Sequence, residues 1–282
     1  MRALKPGLVV ALWATVVATT LGLGGCATYA PAVGAAGAAP AAPVDVAPLS
    51  VRQVLAPTGT LRVGVYRGSP TSLVTQNGQP AGIAHDLGQV LARELGVPVQ
   101  MVEHARIAQV IDALKAGHID MTFTNATEAR AREVDFTVPL VRLELGYLVQ
   151  QGSRISRIDA IDQPGVRVGV SEGSSSQGVL GRQFRQATLV PAASLDAARR
   201  MLADGRIDAF ATNKGILHEL ADGIGGATVL PGRWGLEHMA IAVPKGRDAG
   251  RPWLAAFATR VSADGRLGAI VQRSGLRGTA QD

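Results

Sequence analysis

The chain has 282 residues, 47% of them apolar but only 4% aromatic, with 34 glycines; this permits one large or two modest domains and suits a backbone-rich α/β protein better than an all-β sandwich. Its net charge of +6 comes from arginines and acids interspersed along the chain, without the basic run or aromatic interleaving of a nucleic-acid groove. Cys26 is the only cysteine, which excludes a disulfide framework, a thiolate metal cluster and a thiol nucleophile from the folded part.

In chain order, Arg2 and Lys5 precede an apolar run from Leu8 to Leu23, and small residues follow. Basic head, apolar stretch and small residues read as a secretory signal over residues 1–26. The run is short for a membrane span of about 20 residues and has no positive stop-transfer cluster after it. Leu23-Gly24-Gly25-Cys26 resembles a bacterial lipobox, which implies acylation at Cys26 and an extracytoplasmic protein anchored in a membrane. The following stretch is almost entirely Ala, Pro, Gly and Val as far as Ser50, with Pro31, Pro40, Pro43 and Pro48 set against a helix. A disordered tether is expected over residues 27–57.

From Leu61 onward, short β-rich runs alternate with helical patterns. Leu61 to Tyr66 reads as a strand, and Ile83 to Leu95 as an amphipathic helix closed by Gly96 and Pro98. Val97 to Val102 reads as a strand, Ile107 to Lys115 as a helix stopped by Gly117, and Ile119 to Phe123 as another strand. Such alternation implies parallel sheet with crossover helices.

The pattern then recurs. Arg62-Val63-Gly64-Val65 returns as Arg167-Val168-Gly169-Val170, and Gly117-His118-Ile119-Asp120 as Gly205-Arg206-Ile207-Asp208. Each Ile-Asp leads to a Thr-Asn pair, Thr124-Asn125 and Thr212-Asn213. A helix, a buried strand and a polar pair at the strand's carboxyl end are thus encoded twice. Ligands in open α/β sheets sit outside those carboxyl ends, so two such units imply a cleft shared between two lobes. Leu143 to Val149 and His238 to Val243 read as strands crossing between them, and Trp253 to Val261 as a helix returning to the first. Lobe 1 is then expected over 58–142 plus 242–282, and lobe 2 over 145–239.

These residues resemble the bacterial extracellular solute-binding proteins of family 3, the polar amino-acid type that feeds ABC importers. The carriers are Leu61-Arg62-Val63-Gly64-Val65, Gly82-Ile83-Ala84-His85-Asp86-Leu87, Ala113 to Asp120, and Thr127-Glu128-Ala129-Arg130 leading into Val134-Asp135-Phe136. In the second half they are Val168-Gly169-Val170 with Gly173-Ser174-Ser175, and Gly205-Arg206-Ile207-Asp208-Ala209. Each piece is weak alone; their order and spacing from Leu61 to Ala269 are specific. The resemblance implies a two-lobed periplasmic-binding-protein fold of type II, each lobe a mainly parallel mixed sheet flanked by helices. It further implies a monomer without a cofactor that delivers a small polar solute to an inner-membrane permease.

On the family's pattern, Thr127 and Arg130 hold the ligand's carboxylate, for which a guanidinium offers a planar donor fork. Asn125 stands where the family often has a threonine that also contacts the carboxylate. Ser174, Ser175 and Ser176 follow Gly173 at the start of a helix, where free N–H groups and hydroxyls attract an anion, although a serine there also serves as a plain cap. One departure matters: Asn213 stands where the family carries the aspartate that receives the ligand's ammonium, which leans the expectation towards an anionic or neutral polar solute. Tyr66, Arg67 and Arg106 are further candidates near the cleft, and Trp234 either lines it or packs the hinge. His85, His104, His118, His218 and His238 show no metal-ligand spacing, and neither a Gly-x-Ser-x-Gly elbow nor a P-loop occurs. No enzyme is expected. The alternatives are a sensor acting through a separate partner, and a dehydratase of the same fold. The dehydratase's acid would fall at Gln177, with Glu172 nearby.

Overall fold

The computed structural model describes residues 46–280. The expected signal segment, Cys26 and the tether as far as residue 45 lie outside the described residues.

Folding begins earlier than expected. Helix α1 (Leu49–Leu55) starts directly after Pro48, which occupies the N-cap, where its missing N–H costs no helical hydrogen bond. Ala47 donates to the Glu94 carbonyl at 2.8 Å, and Ala47 and Leu55 are buried. The tether expected to run to residue 57 is therefore corrected: from Ala47 the chain is part of the core. Alanine and proline content alone could not reveal this, because one buried leucine docks the segment.

Strand β1 (Leu61–Tyr66) precedes the hairpin β2 (Val74–Gln76) and β3 (Gln79–Ala81), and helix α2 (Ile83–Leu95) lies over β1. Next come β4 (Val99–His104), α3 (Ile107–Lys115), β5 (Thr122–Asn125), the single turn α4 (Glu128–Ala131) and β6 (Val134–Phe136). The long strand β7 (Val141–Val149) leads into β8 (Arg167–Ser171), α5 (Ser175–Gln183), β9 (Thr188–Ala192), α6 (Leu195–Ala203), β10 (Ala209–Asn213) and α7 (Lys214–Asp222). The chain ends with β11 (Thr228–Val229), the long β12 (Gly235–Pro244), α8 (Arg251–Ala263) and α9 (Arg266–Arg273).

Strand pairing defines the two lobes. In the first, β4 lies parallel to β1, which meets the approach to β5 through a parallel bridge between Val63 and Met121. The second half of β12 pairs with β5 and β6. In the second lobe, β9, β8 and β10 run parallel, and β10 and β11 pair with the second half of β7. The first halves of β7 and β12 pair with each other, antiparallel, from Val141↔Met239 to Leu145↔Gly235. These are the two crossings, and β12 begins three residues earlier than the sequence pattern suggested.

The sequence repeat has a structural cause. Asp120 accepts from Arg62 N and Nε at 2.9 Å each and from Nη2 at 2.8 Å, while Nη2 also reaches the Gly117 carbonyl. Asp208 treats Arg167 alike, with 2.8, 3.0 and 2.8 Å contacts, and Arg167 Nη2 reaches the Gly205 carbonyl. A Cβ on Gly64 would lie 2.2 Å from Ile119 Cδ1, and one on Gly169 2.4 Å from Ile207 Cδ1. The Arg-Val-Gly-Val and Gly-x-Ile-Asp motifs thus lock a strand to the next one in each lobe, leaving the following Thr-Asn pair at the cleft.

One apolar cluster spans the lobes, joining Ile107, Val110 and Leu114 of α3 to Leu195, Leu202 and Leu217 on α6 and α7. The lobes are closed on each other. Among the described residues no helix is long and apolar enough to cross a membrane.

Candidate functional site

Between the lobes a small cavity of about 30 Å³ is lined by Tyr66, Ile107, Thr124, Asn125 and Arg130 from one side and Ser171, Ser174, Ser175, Ser176, Thr212, Asn213 and Ile216 from the other, with Glu237 and Met239 of β12 between them. That is room for about two waters, so a solute can enter only as the lobes part. Larger grooves exist on the surface, such as one of about 510 Å³ beside Asp135 and Arg251, but the buried polar groups converge here.

Arg130 is carried by α4, the turn that follows β5. Its Nη1 donates to Thr124 Oγ1 at 2.7 Å and to the Asn125 carbonyl at 3.3 Å. Among the described residues neither Nε nor Nη2 has a hydrogen-bond partner, so the side-on edge of the guanidinium, the edge that grips a carboxylate with two parallel bonds, is unused. Burial lowers the pKa of Arg130, against the opposing pull of Glu237 and Tyr66.

The repeated asparagines have fixed orientations. Asn125 Oδ1 accepts from His238 N at 2.9 Å, leaving Nδ2 to reach Ser175 Oγ across the cleft at 3.4 Å. Asn213 Oδ1 caps α7 by accepting from Ile216 N at 3.1 Å, leaving Nδ2 to donate to Glu237 Oε2 at 2.9 Å. Ser175 Oγ donates to Glu237 Oε1 at 3.1 Å. Burial pushes the Glu237 carboxyl upward, opposed by the Asn213 amide, the Arg130 charge and the Ser175 hydroxyl. Ser174 caps α5 by accepting from Gln177 N at 3.1 Å, and Gln177 Oε1 accepts from Gly173 N at 2.6 Å. The helix start facing the cleft is therefore held by a reciprocal cap.

Of the expected residues, Tyr66, Asn125, Arg130, Ser174, Ser175, Ser176 and Asn213 meet at the cavity. Four others do not. Thr127 is the N-cap of α4, its Oγ1 accepting from Arg130 N at 3.2 Å, so it sets the arginine's backbone instead of lining the site. Arg67 turns outward and pairs with Glu103 at 2.6 Å. Arg106 precedes α3 and reaches over the rim to Glu172 at 3.2 Å. Trp234 packs the hinge, with Nε1 on the Gly146 carbonyl at 3.0 Å and its ring 6.0 Å from that of Tyr147. Sequence reasoning missed Glu237, one residue ahead of the expected crossing strand. Its signal was an acid just ahead of the apolar run Met239 to Val243.

Comparison with known proteins agrees with this geometry. The sequence profile of the bacterial extracellular solute-binding proteins, family 3, matches residues 61–275. The chain is 31% identical over 159 residues to the L-arginine-binding protein of Pseudomonas aeruginosa, covering 53% of this chain and 59% of that protein. It is 30% identical over 132 residues to a membrane-bound lytic murein transglycosylase F of Shewanella oneidensis, covering 46% of this chain and 27% of that one. The chain thus spans less than two thirds of either relative. The solved structure of an ancestral amino acid-binding protein, a precursor of cyclohexadienyl dehydratase, superposes with a TM-score of 0.69 at 25% identity, over 79% of this chain and 98% of that one. The two lobes, the two crossing strands and the profile match together make this chain a member of family 3 of the bacterial extracellular solute-binding proteins.

Proposed function

We propose that the protein captures a small polar solute, amino-acid-like or a carboxylate, between its lobes for an ABC importer, and that Arg130 grips the solute's carboxylate. The observation that carries this reading is the unused side-on edge of a buried arginine, facing hydroxyl and amide groups of the opposite lobe. Its Nη1 bonds to Thr124 and Asn125 hold that edge in place before a ligand arrives, which limits the ordering cost of binding. The lobes, 47–142 with 242–282 and 145–239, part at the hinge to admit the solute and close to complete its hydrogen bonds. The catalytic acid that a dehydratase would need has no counterpart at Gln177, whose side chain is engaged in capping α5. The chain acts as a monomer without a cofactor, held outside the cytoplasm by a lipid on Cys26.

Calorimetry with the twenty protein amino acids and a set of short mono- and dicarboxylates tests the reading. At least one is expected to bind the wild type, and Arg130→Ala to weaken it about 100-fold or more, as loss of one partner of a desolvated ion pair does. Undiminished affinity in that variant would refute the carboxylate grip.

A further inference from the structure

The charge that Asn213 lacks is present in the cleft on another strand. Glu237 lies on β12, fully inside the cavity wall, and takes one hydrogen bond from Asn213 Nδ2 and one from Ser175 Oγ. Asn213 cannot turn its amide round, because its Oδ1 caps α7 through Ile216 N. An aspartate at position 213 would cap the helix equally well but would set a second carboxylate 2.9 Å from Glu237, where two buried negative charges repel. The asparagine is therefore what an acid at 237 requires of its neighbour.

Glu237 and Arg130 influence each other's protonation across the cavity, yet no ion pair within 4.0 Å joins them. A guanidinium edge and a carboxyl group thus face the same small space, one from α4 and the other from β12. Resting on the solute-binding reading of this cleft, we infer that Glu237 is the residue that recognises the cationic end of the ligand, so that the site selects a zwitterion whose carboxylate lies on Arg130 and whose ammonium lies on Glu237. A solute bearing only a carboxylate would leave two buried negative charges against one positive one, and an unmatched buried charge is strongly disfavoured. This reverses the leaning towards anionic solutes that Asn213 alone suggests.

The test compares each protein amino acid with its des-amino counterpart, such as alanine with propionate and aspartate with succinate, by calorimetry on the full chain. The wild type is expected to bind at least one amino acid about 100-fold more tightly than its des-amino partner. Glu237→Gln, which keeps shape and removes charge, is expected to bring that ratio to within a few-fold and to tighten the des-amino acid. Asn213→Asp combined with Glu237→Gln returns a carboxylate to the opposite member of the pair and is expected to recover the preference. Wild-type protein that binds both members of each pair equally would overturn the assignment without recourse to any variant, as would a preference undiminished in Glu237→Gln. Arg130-dependent binding of simple carboxylates in either case leaves the carboxylate grip standing and removes only Glu237. Binding of no probe at all would overturn the solute-binding reading, and this inference with it.

Discussion

Asp120 holds Arg62 through both carboxylate oxygens, and its Oδ1 also accepts from Arg247 Nη2 at 2.8 Å, so one fully buried carboxylate ties β1 to the C-terminal part of lobe 1. Arg247 also reaches the carbonyl of Leu55 at 2.7 Å, bringing α1 into the same junction. Burial alone would raise the Asp120 pKa, but the bonds from Arg62 and Arg247 outweigh it and hold the carboxyl below its ordinary range. Asp120→Asn should lower stability by about 3 kcal/mol or more, because it strands two arginines at a buried position. A group whose folded pKa is depressed stabilises fully above its unfolded value, near 4, and stops doing so as pH falls through the folded one. The difference between wild type and Asp120→Asn in urea melts should therefore be constant at neutral pH and shrink below about pH 4. A difference independent of pH would contradict the ion-pair account.

The glycines of the repeat make a separate prediction. At Gly64 a methyl group would meet Ile119 Cδ1 at 2.2 Å and Val110 Cγ1 at 2.8 Å. Gly64→Ala should cost about 1–3 kcal/mol by overpacking. Adding Ile119→Val removes the nearer of the two atoms and should recover part of that loss, with the remainder charged to Val110. Thermal melts of the single and double variants check this, and strict additivity of the two effects would speak against direct contact.

Much of this architecture was legible because it is written twice. A strand, a helix stopped by glycine and a Thr-Asn pair recur in the same order, the stretch from that glycine to the asparagine with the same spacing, and periodicity gave the limits of α2 and α3 as the structure has them. The parts that were not legible depend on tertiary partners. Segment 47–57 looks like linker until Leu55 is seen docked against the core. Thr127 and Arg130 share a motif, yet capping takes the threonine while burial takes the arginine into the cleft. Arg67 and Arg106 sit in short loops beside the cleft, and no local pattern encodes that they turn to Glu103 and Glu172 instead of the cavity. Glu237 was obscured for another reason: a lone acid just ahead of an apolar run has no periodic signature, and its meaning comes from Asn213 and Ser175, which are 24 and 62 residues away in sequence.

A strap of chain after α9 crosses the hinge. Glu144 N donates to the Gly278 carbonyl and Ala280 N to that of Arg142, each at 3.0 Å, which adds a short antiparallel edge to β7. Arg277 pairs with Asp222 at the end of α7, and a Cβ on Gly215 would meet Leu276 Cδ1 at 2.6 Å. The segment thus links α9 of lobe 1 to α7 of lobe 2. Removing residues 276–282 should lower the melting temperature by several degrees and increase the radius of gyration measured by X-ray scattering without ligand. Unchanged dimensions would mean that the strap stabilises α7 without restraining the lobes.

Closure itself has a contact that can be tested. Gly173 of lobe 2 sits at φ +71°, and a Cβ there would fall 2.6 Å from the Cβ of Ala108, on α3 of lobe 1. Gly173→Ala therefore acts twice, straining a left-handed backbone by about 1 kcal/mol and wedging the lobes apart. Only the second effect depends on Ala108. The variant should scatter as a more open particle than wild type, and Gly173→Ala with Ala108→Gly should close again while still melting at a lower temperature. If the double variant stays open, backbone strain near the start of α5, and not contact between the lobes, is what the glycine relieves.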